Sequence, residues 1–211
     1  MKSVSVMSFV LMLGLNAILF AADVRAAAAE TKDLPSLKKE DLVNEERVEA
    51  FVNSFLKRDR QASELLNPSN QTLFSQGYRP VIGVLQDPEA KGQRFRDIKP
   101  YFIRKLFLDL NAIQPLNREG FEMFVDQIGY YSDQTVICAG TIAHKYGFKT
   151  QGRFVFEEEL KKVPQGAERE EFKQCWLNDF VLGTELRMLA WIYLELFGVP
   201  YSSPEKRLKR K

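Results

Sequence analysis

The sequence predicts an all-α fold: a single compact domain of about six helices, orthogonal or bundle-like, with little or no sheet. Three observations lead there. From Phe172 to Phe197, the residues Phe172, Trp176, Phe180, Leu186, Leu189, Tyr193 and Phe197 recur at helical spacing. From Leu186 onward apolar residues cover almost the whole circumference, so this helix belongs at the centre of a core with others around it. Upstream, each regular stretch carries one apolar stripe at helical spacing, and most connections between stretches are short, which favours antiparallel neighbours.

Residues 1–26 read as a secretory signal peptide. Lys2 supplies a positive start, Val4 to Phe20 is almost continuously apolar, and Val24-Arg25-Ala26 offers a cleavage site after Ala26. An uncleaved membrane anchor is the rival reading. Residues 27–40 are expected to be a flexible arm, 41–203 the helical domain and 204–211 a basic tail.

The first helix is expected from about Glu40 to Leu66, with Val48, Phe51, Val52, Phe55, Ala62, Leu65 and Leu66 on its stripe. Asn67-Pro68 ends it. Pro68, Gly77, Pro80, Gly83, Pro88 and Gly92 then break up residues 67–94, where Tyr78 to Leu85 fits a short strand, a helical turn or a buried loop. Pro100 opens a helix to Leu110 with Ile103, Leu106, Phe107 and Leu110 inward. Asn117 caps a helix to Ile128, on which Phe121, Phe124, Val125 and Ile128 align. Ser132 or Asp133 caps the next, to about Tyr146, where Cys138, Ile142 and Tyr146 share a face with Ala139 and Ala143. A polar connection, 148–166, leads to the long helix, which stops at Gly198 and Pro200.

Two cysteines, Cys138 and Cys175, form an isolated even pair, read as a disulfide in an exported chain. A loop of about 37 residues closed in this way contributes roughly 3–4 kcal/mol. Two buried free thiols are the alternative.

A formal charge of +2 gives no broad nucleic-acid-binding face. The sequence contains no nucleotide-binding glycine motif, no GxSxG and no HExxH. The one histidine, His144, reads as a surface residue, and with two cysteines it cannot close a zinc site. No metal or cofactor is expected. The remaining catalytic material is carboxylate: Asp179 and Glu185 sit in the apolar helix between Trp176 and Trp191. Either could serve a polysaccharide hydrolase, while the plainer reading gives Glu185 a surface position or a salt-bridge partner. Glu157-Glu158-Glu159 reads as a solvated face, and Asn70-Gln71-Thr72 is a formal glycosylation sequon.

The expectation is an exported, non-catalytic helical protein that binds another macromolecule, as inhibitor, immunity or envelope-assembly factor. Its contacts are expected in the irregular 68–94 segment and the 148–166 connection, at Tyr78, Arg79, Arg153 and Phe154. The alternatives are an envelope polysaccharide or peptidoglycan hydrolase and a structural part of a secretion assembly. In the last, Lys206, Arg207, Lys209, Arg210 and Lys211 would meet an anionic surface.

Overall fold

The computed structural model describes residues 34, 37–66, 74–76, 78, 96–113, 116–148, 156–204 and 207. A 3-10 turn, Lys39–Val43, precedes six α-helices among them: α1 (Glu45–Arg58), α2 (Arg60–Leu65), α3 (Ile98–Ala112), α4 (Arg118–Lys145), α5 (Phe156–Leu160) and α6 (Ala167–Phe197). The described residues form no sheet, and the fold is all-α.

The framework is the antiparallel pair α4 and α6. Cys138 is bonded to Cys175, Lys145 pairs with Glu168 at 2.7 Å, and at the opposite end the Tyr193 hydroxyl donates to Glu122. α1 packs on α3, and α2 touches α6. The main core draws Phe51 and Phe55 from α1, Phe102 and Leu106 from α3, Phe121 and Val125 from α4, and Met188, Leu189, Ile192 and Tyr193 from α6. Ile142, Phe148, Val163 and Phe172 make a second cluster near the disulfide.

Several expected boundaries shift, each for a local reason. The expected helix 40–66 is two helices. Asp59 is extended (φ −69°, ψ 119°), and its carboxylate accepts the Ala62 N–H at 2.6 Å, starting α2 afresh. Asn44 caps α1 in the same way, accepting from the N–H groups of Glu46 and Arg47. Asn117 does cap α4, accepting the Gly120 N–H at 2.8 Å. That helix then runs unbroken to Lys145, past Ser132 and Asp133. A potential cap ends nothing unless the backbone leaves the helix, and here Thr135 Oγ1 bonds back to the Ser132 carbonyl within the continuing helix.

α6 begins at Ala167, earlier than expected, with Glu168 and Glu170 at its positive end. It ends where expected: Gly198 takes the left-handed conformation (φ 67°) and its N–H reaches Leu194 O at 2.8 Å. Leu34 and Leu37, in the arm expected to be flexible, are buried in the main core. Glu159 is also buried and bonded to Lys162 at 2.6 Å, so the Glu157–Glu159 run is not wholly solvated. Trp176 is only half-buried, between the two clusters. No helix among the described residues is long and apolar enough to cross a membrane.

Candidate functional site

α6 carries two ionisable side chains into the protein interior. Every residue from Thr184 to Ala190 is buried, and Glu185 and Arg187 are among them. Two residues apart on a helix, they project about 200° from each other and reach different neighbours.

Glu185 faces α3. Its Oε1 lies 2.6 Å from Lys105 Nζ, which also binds Asp109 one turn further along α3. All three are buried. Tyr101 lies one turn before Lys105, its ring 5.3 Å edge-on from that of Tyr78, whose hydroxyl donates to Asn178 Oδ1 at 2.7 Å. One ammonium faces two carboxyl groups, an excess of one negative charge if all three ionise. Burial pushes Glu185 up to about 8, against the pull of Lys105 and reinforced by Asp109, so it holds a proton at neutral pH. Burial alone would lower Lys105; the two carboxyl groups outweigh it and hold the ammonium charged. Asp109 Oδ1 and Glu185 Oε2 have no hydrogen-bond partner among the described residues.

Arg187 faces the junction of α1 and α2. Its guanidinium grips Asp59 through two bonds, Nε–Oδ2 at 3.0 Å and Nη2–Oδ1 at 3.1 Å, and reaches Gln61 at 2.8 Å and Thr184 at 3.3 Å. Asp59 thus ends α1, starts α2 and holds α6.

Asp179 is half-buried and pushed up to about 6 by burial, opposed by Arg187 and reinforced by Asp133. Six residues from Glu185, it projects about 240° around the helix, so the two carboxyl groups do not converge on one bond. Among the described residues no cluster of three or more histidine, cysteine, aspartate and glutamate side chains could hold a metal.

Of the expected binding residues, Tyr78 is fully buried and stacked on Phe74, a core residue rather than a contact surface. Arg79, Arg153 and Phe154 lie outside the described residues, as do most of 68–94 and part of 148–166. So do Lys206, Lys209, Arg210 and Lys211. Arg207 is engaged within the chain: it pairs with Asp126 and with Glu122 at 3.6 Å, and lies over the Tyr201 ring. His144 is exposed, as expected.

A surface the sequence reading did not single out lies on α4. Met123, Tyr130 and Ile137 are 66%, 61% and 55% exposed, each seven residues from the last. Gln127 and Gln134 lie between them and Thr141 follows one turn after Ile137, all three exposed. No charge interrupts this stripe, whereas the exposed positions of α1 include Glu45, Glu46, Arg47, Glu49, Lys57 and Arg58. Glu119, Glu122, Asp126 and Asp133 run along one edge of the stripe at helical spacing. Toward the other edge, near the start of α4, an open groove of about 520 Å³ is lined by Ala112, Ile113, Gly120, Met123, Phe124 and Gln127, with Asn117 and the acidic Glu119 at its margin. The signal was the spacing of 123, 130 and 137, visible only once the helix is read as continuous through 132. No protein-family model, no curated protein and no solved structure matches the chain.

Proposed function

We propose that this protein is an exported, non-catalytic helical protein that binds another macromolecule through the outer face of α4. The observation that carries this is the uncharged stripe Met123, Gln127, Tyr130, Gln134, Ile137 and Thr141 on the outer side of a helix whose inner side packs on α6, with three large apolar side chains exposed. Scattered exposed apolar residues are ordinary, but three in register, separated by uncharged glutamines, make an uncharged strip of the sort used for docking. The apolar run at Val4–Phe20 and the Cys138–Cys175 bond support export to an oxidising compartment. The buried Glu185, tied to Lys105, reads as an internal bond between helices rather than a catalytic group.

The test is quantitative capture from an extract of the source's own envelope and medium, comparing the native protein with a Tyr130→Glu, Ile137→Glu variant. One stoichiometric partner retained by the native protein and lost from the variant, with unchanged thermal unfolding, is the expected result. Equal retention by both proteins, or no partner at all, overturns the proposal.

A further inference from the structure

We infer that the partner docks on α4 as a basic amphipathic helix; this rests on the binding reading above and adds the chemistry of what is bound. The seam Met123, Gln127, Tyr130, Gln134, Ile137 and Thr141 advances by alternating steps of four and three residues. That alternation is the repeat by which one helix presents a straight line to another laid along it. Over 18 residues the seam is about 27 Å long, room for about five turns of a partner helix.

The two edges of the seam differ, and the difference selects the partner. Glu119, Asp126 and Asp133, each seven residues from the last, form an acidic row on one side. The open groove beside Met123 and Phe124 extends toward the other, reaching the first member of the acidic row, Glu119, at its margin, and a bulky apolar side chain can enter it. The acidic row already receives an arginine from within the chain, because Arg207 is seated on Asp126 and Glu122 and packs over Tyr201. A partner helix with apolar residues on one stripe and Lys or Arg along one flank repeats that contact along the row, adding charge complementarity to apolar burial. A second copy fits less well. Laid antiparallel across the seam, whose midpoint is residue 132, it would set Asp133 near its own counterpart.

The test uses the disulfide-bonded protein and two fluorescent helical peptides of about three heptads. Both carry leucine along the seam; one has lysine and arginine on a single flank, the other glutamate at the same places. The basic peptide is expected to bind at least about tenfold more tightly than the acidic one at low salt, with the gap closing as salt is raised. Glu119→Lys with Asp133→Lys should reverse the preference, and Tyr130→Glu should abolish binding of both while thermal unfolding is unchanged. Equal affinity for the two peptides, indifference to the charge reversal, or no binding of either overturns the inference. Loss of the captured native partner on Tyr130→Glu alongside any of those results leaves α4 a binding face for a partner of other chemistry; failure of both experiments removes the binding reading as well.

Discussion

Replacing Glu185 by glutamine isolates the proton held in the buried Lys105–Asp109–Glu185 cluster. Glutamine keeps the shape of the protonated acid: its carbonyl can accept from Lys105, and its amide can donate to Asp109. In the native protein the Glu185 carboxyl is pushed up from 4.5 to about 8. Between those values the folded chain holds a proton that the unfolded chain has released. Stability therefore falls as pH rises through that interval and levels off above about 8. Each pH unit inside the window is worth about 1.4 kcal/mol, so from pH 5.5 to 7.5 the native protein should lose about 3 kcal/mol from this group. Lys105, held charged by its two partners, does not titrate in that range. Glu185→Gln removes the slope and should be the more stable protein at pH 7.5, in keeping with the net cost of burying ionisable groups. Urea unfolding of both proteins at the two pH values measures this. Parallel slopes, or a variant more than about 2 kcal/mol less stable at pH 7.5, would show that Glu185 is an ionised partner of Lys105 and that the proton has been misplaced.

Arg187→Met leaves Asp59 buried without its cation and should cost about 3–5 kcal/mol in urea unfolding; a loss below about 1 kcal/mol would mean that water reaches Asp59. Cys138→Ser with Cys175→Ser opens the loop of 37 residues and should cost roughly 3–4 kcal/mol, while far-ultraviolet circular dichroism stays helical. A variant as stable as the native protein would show that the bond constrains the unfolded chain little.

The features legible in the sequence are those that depend on neighbours along the chain. The apolar circumference of α6, the Asn117 cap and the Gly198 stop follow from local pattern. So does the disulfide, because only one pairing exists. The pattern misled where a residue does two things. Asp59 fell inside the expected continuous helix 40–66, yet it breaks that helix because its carboxylate caps the next and receives Arg187. On α3, Leu106 and Leu110 are buried as expected and Ile103 and Phe107 pack half-buried against the core, but the buried face also takes in Tyr101, Phe102, Lys105 and Asp109. Glu185 was left with a surface position or a salt-bridge partner, and nothing local reveals that the partner is Lys105, 80 residues earlier. The exposed line on α4 stayed hidden behind Ser132 and Asp133, two potential caps inside a continuing helix.

Among the six helices described, the central one, α6, comes last in the chain. Glu185 must find Lys105 on α3, Arg187 must find Asp59 between α1 and α2, and Cys175 must find Cys138 on α4. A nascent chain ending before Ala167 lacks the element that all of these meet, and Phe51, Phe102 and Phe121 then have no α6 side chains to close the core over them. Such a chain should be digested quickly by protease where the full one resists; equal resistance would mean that the earlier helices fold unaided. Under the export proposed above, a chain threaded out from its N-terminus would fold only when α6 arrives, which would keep it pliable during passage.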